Sequence, residues 1–463
     1  MDKIRTKLKT GCWFFTLLWV SVILATGCKK DDETDYTAIN EIVQQIMYYT
    51  YYWNDKIDGK LGTPPAFKPV PARTKPEQYF SSLLYDDKMV PSGSKEYDRW
   101  SFMIDYKEFT NVMVAGEYKS FGYFLALLPD RSIRVCYVYK GSPMANAGIE
   151  RGYELQKING SDVKNLDTKA INEQLSKESN RFVFADREGN AMPETTISKA
   201  VVKIDPILFK DTYEVDGKKV GYIVYNTFIT ASKEAITAAL QEFGDVDEFV
   251  FDLRYNGGGD VSVADAICEH LLPARVGTDS IVFAKYIYSE RTNFYSKELG
   301  IKDEVRKIKR NPNALNISRL FFIVSDMTAS ASEEVINSMK PFVDEVILFG
   351  KQTEGKPVGM LVFGDDAKNP QWAIAPITFR IDNSNDEGSY FAGMRPTIEL
   401  SGDDLYRNFG VDPLTLEGEA WLQTVVRYIK QEIISAPVSV KSVEKDTPRA
   451  IQLKKLQIHA GCM

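Results

Sequence analysis

The spacing of hydrophobic residues changes twice along the chain and divides it into three regions. From about residue 35 to residue 106, apolar and aromatic residues recur at helical spacing, most densely within 39–53, which predicts amphipathic helices. A proline-rich connector at 64–76 leads to a second predicted helix near 78–84. We therefore expect a small helical N-terminal region whose aromatic side chains form its core.

The second region, from about 116 to 200, has short apolar runs separated by turn residues, which predicts strands, including one at 132–138. From about 201 to 434, strand-like and helix-like runs alternate, which predicts an α/β layer. The expected fold class is α/β, or more fully a multidomain α+β chain. The predicted strands of the last region are 220–225, 248–253, 319–325 and 346–349, and its predicted helices are 232–243, 261–271 and one that opens near 330.

The composition excludes several classes of function. A length of 463 residues predicts two or three domains, and a net charge of -7 argues against nucleic acid as a partner. The sequence contains two histidines, His270 and His459. Almost no histidine is therefore available for a Ser-His-Asp triad or a multi-histidine metal site. Beyond the first 28 residues, Cys136, Cys268 and Cys462 are too scattered for a disulfide framework. No metal or organic cofactor is implied.

The first residues have the pattern of a targeting signal. Four basic residues within 3–9 precede an apolar run at 13–25 that is short for a membrane span. The run ends in Leu-Ala-Thr-Gly-Cys at 24–28, which resembles a bacterial lipoprotein cleavage box. Cys28 is then expected to be lipidated and to anchor the chain in the outer membrane, on its periplasmic face or the cell surface. Residues 29–33 resemble the acidic export signal of surface-displayed Bacteroidetes lipoproteins, although a solvated tether explains them equally well.

Three motifs in the last region carry candidate chemistry. Residues 328–333, Thr-Ala-Ser-Ala-Ser-Glu, lie between a predicted strand and a predicted helix. A serine there sits at a helix N-terminus, where backbone N–H groups and the helix dipole favour an alkoxide and an oxyanion. The alternative is structural, because Ser330 and Glu333 also have the spacing of a capping box.

The second motif is the glycine turn Asp-Leu-Arg-Tyr-Asn-Gly-Gly-Gly-Asp at 252–260. Consecutive glycines allow the close backbone approach that an oxyanion hole requires, although a tight turn alone would also explain them. The third motif is Gly355-Lys356-Pro357, which matches most of a P-loop together with Gly350. Proline replaces the hydroxyl residue that would hold Mg²⁺, so we disfavour nucleotide binding and interpret Lys356 as a side chain positioned by its turn.

Two resemblances follow from these residues. Residues 141–149 and 151–160, Gly-Ser-Pro-Met-Ala-Asn-Ala-Gly-Ile and Arg-Gly-Tyr-Glu-Leu-Gln-Lys-Ile-Asn-Gly, resemble a PDZ domain of the bacterial protease type. Such domains capture a peptide carboxylate and add the peptide to a sheet edge, although a PDZ fold that serves only as a spacer is the alternative. The residues at the position of the carboxylate-binding loop are Gly122, Tyr123, Phe124 and Leu125.

A PDZ domain followed by the three motifs in this order resembles the C-terminal processing peptidases, also called tail-specific proteases. The resemblance runs from about 98–101 to 412–413 and includes 221–223 and Phe228. That family uses a Ser-Lys dyad. The resemblance implies Ser330 as nucleophile and Lys356 as general base. It also implies an oxyanion hole formed by the N–H groups of Ala331 and of Gly258 or Gly259.

General chemistry agrees with the dyad. A serine hydroxyl needs an adjacent base, and a lysine can serve only when neutral, which burial in an apolar pocket promotes. We therefore expect Lys356 to be buried with its amine near the Ser330 hydroxyl. Lys340 and Lys351 are alternative bases, but neither is framed by glycine and proline.

This sequence departs from the family pattern in two ways. Many members carry a lysine-orienting glutamine four residues after the lysine, where this chain has Met360. The loop between the two catalytic positions is also about one residue longer than in well-known members. Thr353 or Gln352 is a possible replacement for the orienting residue.

The sequence thus predicts a lipid-anchored serine endopeptidase that acts on protein or peptide substrates recruited through a PDZ domain. The alternative is a catalytically silent, PDZ-containing lipoprotein that only binds peptides. The expected regions are a signal peptide at 1–28, a tether and helical domain at 29–115, a PDZ domain at 116–200, a peptidase core at 201–435 and a tail at 436–463.

Overall fold

A computed structural model describes residues 34–127, 130–301, 305–364, 371–400, 416 and 418–432. The predicted signal peptide with Cys28 and the predicted tail lie outside the described residues. The chain forms two compact units. Of the described residues, the first contains those within Met1–Thr110, Val282–Arg306 and Pro357–Ala392, and the second contains those within Asn111–Ile281, Lys307–Lys356 and Gly393–Met463. Both helices and sheets are present, which confirms the α/β multidomain fold class, while the domain boundaries given above stay a prediction.

The first unit is built around the helix Thr37–Thr50, whose apolar face buries Val43 and Met47. Asn40 and Gln44 on this helix are buried, and their amides donate to carbonyls of the connector at 68–74. These bonds satisfy the buried NH₂ groups of both side chains. The proline-rich connector is therefore tied to the helix that the apolar spacing predicts.

The remaining elements of the first unit come from distant parts of the sequence. Its other helices are Asn54–Ile57, Asp58–Leu61, Pro76–Leu83, Asp87–Met89, Tyr106–Thr110, Glu290–Phe294 and Ser296–Leu299. Gly62–Thr63 pairs with Ala66–Phe67, and Phe102–Asp105 pairs with Trp372–Ala375. A four-stranded sheet, most of whose residues belong to this unit, has the order Val305–Ile308, Ile281–Tyr288, Ile377–Asn383 and Val358–Met360.

The second unit contains an antiparallel sheet with its own hydrophobic core. Its strand order is Thr195–Ser198, Ser179–Ala185, Glu154–Ile158, Ile133–Val138 and Tyr123–Leu127, and Ser161–Asp162 pairs beside Glu154–Ile158. Tyr123–Leu127 is the last strand of that order, so one of its edges has no strand partner among the described residues. The helical segments of this part are Asn111–Ala115, Pro143–Asn146, Val163–Asn165 and Thr168–Ser176. The segments that enter and leave it, Glu117–Ser120 and Ala200–Lys203, pair with each other.

A six-stranded sheet forms the rest of the second unit. Its order is Ile207–Val215, Lys218–Tyr225, Glu248–Asp252, Arg319–Val324, Glu345–Gly350 and Ile398–Glu399. The first pair is antiparallel and all following pairs are parallel. Parallel strands are buried on both faces, which explains why their sequences are almost continuously apolar. The helical segments of this part are Thr230–Ser232, Lys233–Phe243, Val261–Leu271, Ala274–Val276, Ala331–Met339 and Ala420–Ile429.

The central strands and helices of this unit lie within two residues of their predicted bounds. Among the residues that the structure describes, no helix has the length and apolar character that crossing a membrane requires.

Candidate active site

Three neighbouring parallel strands bring the three sequence motifs together. Glu248–Asp252, Arg319–Val324 and Glu345–Gly350 are adjacent in the sheet, and Ile323 is paired with both Asp252 and Phe349. The glycine turn, the serine motif and the lysine turn each follow one of these strands. The carboxyl ends of parallel strands meet at one edge of a sheet, which is where such folds place their ligands.

Ser330 has an unusual backbone conformation in the turn that joins the strand Arg319–Val324 to the following helix. It precedes the helix Ala331–Met339 and forms a capping box with Glu333, whose Oε2 accepts a hydrogen bond from the Ser330 N–H at 3.0 Å. The structural role of this serine is therefore real. An ordinary N-cap has extended backbone angles, whereas Ser330 has φ 56° and ψ −121°, a conformation that is strained for any residue with a Cβ. A cap alone does not require this strain.

The glycine turn lies directly against the serine. A Cβ added to Gly258 would lie 2.7 Å from Ser330 Cβ and 2.8 Å from the nitrogen of Ala331. On its other side the turn is held by Phe228, whose N–H donates to Gly258 O at 3.0 Å, and whose carbonyl would lie 2.5 Å from a Cβ on Gly259. Both glycines have positive φ, 97° and 143°. Glycine is required at both positions by space and by conformation.

The backbone N–H groups around Ser330 differ in their partners. Gly258 N–H donates to the Asn256 side-chain oxygen at 2.9 Å. Among the described residues, no acceptor is found for the N–H of Ala331 or of Gly259. Of the two glycines that the family resemblance offered for the oxyanion hole, Gly259 therefore has the available donor, and Gly258 supplies the space beside Ser330.

Lys356 is buried, with 6% of its surface exposed, as expected for this residue. Its N–H donates to Glu333 Oε2 at 2.8 Å, so Glu333 hydrogen bonds to both Ser330 and Lys356 through the backbone. The alternative bases are placed less favourably. Lys340 is exposed and follows the last residue of the helix Ala331–Met339, and Lys351 is half-buried.

Glu333 is the residue whose importance the sequence indicated least. It is fully buried, and burial raises the pKa of its carboxyl group from 4.5 to about 7, against hydrogen bonds from Thr353, Lys356, Gly355 and Ser330 that lower it. In the sequence it had the signature of a helix cap. The signal that could have identified it was the absence of the orienting glutamine, since Thr353, one of the two suggested replacements, donates to Glu333.

The arginine of the glycine turn belongs to a buried network of charges. Arg254 is fully buried and binds Asp252 through Nε and Nη2 and Glu419 through Nη1 at 2.7 Å. Burial would raise the pKa of Glu419, but Arg254 and Arg151 outweigh it and lower that pKa. Arg151 also donates to the hydroxyl of Tyr255 at 2.7 Å. The network fixes the start of the turn that carries Gly258.

The residues predicted to bind a peptide tail lie elsewhere in the second unit. Gly122 has φ 81° and accepts a hydrogen bond from the Tyr139 N–H, and the following residues begin the edge strand Tyr123–Leu127. Phe124 stacks on Tyr137 and meets the ring of Tyr255 edge-on, with ring centres 6.0 Å apart. These residues therefore contact the glycine turn but are not among those that surround Ser330.

Comparison with known proteins relates this region to a family of peptidases. The family model "Peptidase family S41" matches residues 219–400, which contain all three motifs. A carboxyl-terminal-processing peptidase 3 of Arabidopsis thaliana is 26% identical over 275 residues, covering 54% of this chain and 49% of that protein. A carboxyl-terminal-processing protease of Picosynechococcus is 27% identical over 254 residues, covering 53% and 56%. The chain thus spans about half the length of these curated relatives.

Solved structures agree at the level of the fold. A Bacteroides fragilis chain assigned to the S41 proteases superimposes with a TM-score of 0.64 at 22% identity, covering 85% of this chain and 97% of that one. The photosystem II D1 C-terminal processing protease gives a TM-score of 0.50 at 17% identity, covering 85% and 97%. Residues 219–400 are thus similar to peptidase family S41, and the curated relatives named above are carboxyl-terminal-processing peptidases.

Proposed function

We propose that this protein is a serine endopeptidase that uses Ser330 as nucleophile and Lys356 as general base. The observation that carries the proposal is the strained backbone of Ser330, which lies beside Gly258 at the N-terminus of a helix. The residue also lies within the part of the chain that matches peptidase family S41. Backbone strain of this kind persists only where the surroundings enforce it, and it clusters at active sites. Ser330 is also only half-buried, so part of the residue is exposed to solvent.

The proposed reaction is an acyl transfer. Ser330 Oγ attacks the carbonyl carbon of the scissile peptide bond, and its proton passes to the neutral Lys356 amine. The tetrahedral intermediate collapses when Lys356 returns the proton to the leaving nitrogen, which releases an amine and leaves an ester on Ser330. Water then attacks the ester carbonyl and gives a proton to the same lysine. The bond between the acyl carbon and Ser330 Oγ breaks, the lysine returns the proton to Oγ, and the carboxylic acid product leaves. Burial supports this role, because a low-dielectric surrounding disfavours the ammonium form of a lysine.

The oxyanion of the intermediate needs N–H donors aimed beside Ser330. We assign this role to Ala331 and Gly259, which have no acceptor among the described residues, with Gly258 as the alternative. Gly258 would serve only if its N–H left Asn256.

A fluorophosphonate probe tests the nucleophile directly, because it labels activated serines. We expect labelling of the wild type and none of Ser330→Ala or Lys356→Ala. Labelling of Ser330→Ala would refute the assignment. A folded wild type that is not labelled would favour the silent peptide-binding protein.

We also propose that a PDZ domain at 116–200 recruits substrate C-termini. The open edge of Tyr123–Leu127, preceded by a glycine with positive φ, supports this role, because an extended peptide can add to a sheet edge as another strand. The matching experiment compares binding of one peptide with a free and with an amidated C-terminus. Equal affinity would refute carboxylate recognition.

The lipid anchor is a proposal from sequence alone. Cys28 ends the apolar run at 13–25 in a lipoprotein-like box, so we propose attachment to the outer membrane, on its periplasmic face or the cell surface. Cys28→Ser is expected to release the protein from membranes during fractionation. Retention of that variant in the membrane fraction would contradict the proposal.

A further inference from the structure

The Glu333 carboxylate is fully buried and accepts four hydrogen bonds. Oε1 accepts from the Thr353 hydroxyl at 2.5 Å and from the Gly355 N–H at 2.8 Å. Oε2 accepts from the Ser330 N–H at 3.0 Å and from the Lys356 N–H at 2.8 Å. One side chain therefore holds the serine turn and the lysine turn at the same time.

The shared oxygen fixes a distance. Because both N–H groups bind Oε2, the backbone nitrogens of Ser330 and Lys356 lie within about 6 Å of each other, twice an ordinary hydrogen-bond length. A further bond, from Glu354 N–H to Thr328 O at 3.0 Å, joins the same two turns. These bonds set the relative position of the backbones of the two proposed catalytic residues.

A carboxylate is the side chain that this site needs. Above its pKa of about 7 the Glu333 carboxyl group is ionised, and an ionised carboxylate only accepts hydrogen bonds and has room for about four donors. It meets four here. A glutamine of the same shape would turn an NH₂ group toward one of the two donor pairs. Thr353 holds the carboxylate in place, because its hydroxyl donates to Oε1 and accepts from the Met394 N–H at 2.7 Å.

We propose that Glu333 is the positioning residue of this active site: its buried carboxylate holds the nucleophile turn against the base turn, and Thr353 orients it. This inference rests on the proposed roles of Ser330 and Lys356. It also accounts for Met360, since a lysine whose turn is fixed at the backbone depends less on an orienting glutamine.

The expected effects separate positioning from folding. Glu333→Gln leaves a buried donor facing a donor, and the loss of bonds to a charged group lowers kcat by about 10- to 100-fold. KM stays within a factor of about two, because the fully buried Glu333 has no exposed surface with which to contact a substrate. Thr353→Val removes the hydroxyl at nearly constant volume and lowers kcat in the same direction, and Thr353→Ser is the matched control that keeps it.

The test measures the rate of fluorophosphonate labelling of Ser330 in folded wild type, Glu333→Gln, Thr353→Val and Thr353→Ser. Amide hydrogen–deuterium exchange is followed in parallel at 328–334 and 352–358. We expect slower labelling in the first two variants, near-wild-type labelling in Thr353→Ser, and faster exchange in both segments of Glu333→Gln.

Wild-type labelling rates in folded Glu333→Gln would overturn the inference and leave the proposed function intact. No labelling of the wild type would overturn the proposed function. Hydrogen–deuterium exchange in Glu333→Gln would then test by itself whether Glu333 holds the two turns together. Faster exchange in both segments supports this role, and faster exchange in one segment only overturns it. If Glu333→Gln does not fold, Thr353→Val against Thr353→Ser makes the same comparison.

Discussion

At the scale of single residues, Ser330 combines a structural and a proposed chemical role at a cost in local stability. Its capping box explains why a serine is tolerated before the helix, but its φ of 56° is a conformation that costs of order 1–3 kcal/mol for residues other than glycine. The hydrogen bond to Glu333 and the close approach of Gly258 hold the backbone in this state.

This strain can be measured by comparing two inactive variants. Ser330→Ala keeps the Cβ and therefore the strain, whereas Ser330→Gly removes both. We expect the glycine variant to have the higher free energy of unfolding in urea, by about 1 kcal/mol after the greater entropy of unfolded glycine is deducted. A less stable glycine variant would mean that Ser330 is not strained.

Gly258 offers a test of the close packing beside the serine. In Gly258→Ala the new Cβ would lie 2.7 Å from both Ala329 O and Ser330 Cβ, so we expect peptidase activity to fall by about 100-fold or more, as when an oxyanion donor is displaced. Gly59→Ala is the control, because its Cβ meets nothing within 4 Å. Unchanged activity of Gly258→Ala would contradict the packing described above.

The raised pKa of Glu333 predicts a pH dependence of stability. The folded state holds the proton of this carboxyl up to a pKa of about 7, against 4.5 for the free group, so its contribution is fully present below pH 4.5 and is lost as the pH rises through 7. The unfolding free energy of wild type minus that of Glu333→Gln should therefore fall by about 3 kcal/mol across this range. A difference that stays constant in urea titrations would exclude the shift.

At the scale of elements, neighbouring parallel strands bring the three motifs to one edge of the sheet. A buried charge network stabilises the start of the glycine turn. Arg254 and Glu419 pair at 2.7 Å with no exposed surface on the arginine, and Arg151 shares the same carboxylate. Removing one partner of a buried pair leaves an uncompensated charge. The helix that follows Glu419 is thereby linked to the glycine turn.

Glu419→Gln is expected to lower the free energy of unfolding by about 3 kcal/mol, because Arg254 and Arg151 lose a buried counter-charge. The effect should shrink as the pH falls below 4.5, since the lowered pKa of Glu419 makes its contribution one that acid removes. Glu432→Gln, which breaks an exposed pair with Arg427, is the control and should change stability by less than about 1 kcal/mol. Equal effects of the two variants would contradict the role of the network.

The sequence predicts the elements of the central sheet well because burial on both faces leaves a strong apolar signal. The predicted helix at 261–271 coincides with Val261–Leu271, and the strand predicted at 220–225 begins two residues earlier in the structure. The set of segments that makes up the first unit could not be predicted in this way, because Val282–Arg306 and Pro357–Ala392 join it through contacts between residues distant in sequence. Local patterns carry no information on such contacts.

The candidate site likewise has one part that the sequence predicts and another that it does not. Motifs place Ser330, Lys356 and Gly258 near one sheet edge, because each follows a strand. The hydrogen bond from Gly258 to Asn256 and the fourfold role of Glu333 depend on side-chain positions in three dimensions. In sequence, Glu333 looks like half of a capping box and nothing more.

At the scale of the whole molecule, we propose that substrate recruitment and cleavage take place at separate sites. The edge strand that would bind a tail and the dyad that would cut it lie in different parts of the second unit. A peptide with a free C-terminal carboxylate should therefore inhibit turnover of a protein bearing the same tail, and the amidated peptide should not. Neither should slow hydrolysis of a short peptide ester, and equal inhibition of both substrates would indicate competition at Ser330 instead.

The most direct test of the central claim is hydrolysis of an unstructured protein with an apolar C-terminus by purified wild type, Ser330→Ala and Lys356→Ala, with folding of each verified by circular dichroism. We expect cleavage by the wild type and by neither variant. Cleavage that survives in Ser330→Ala would contradict it.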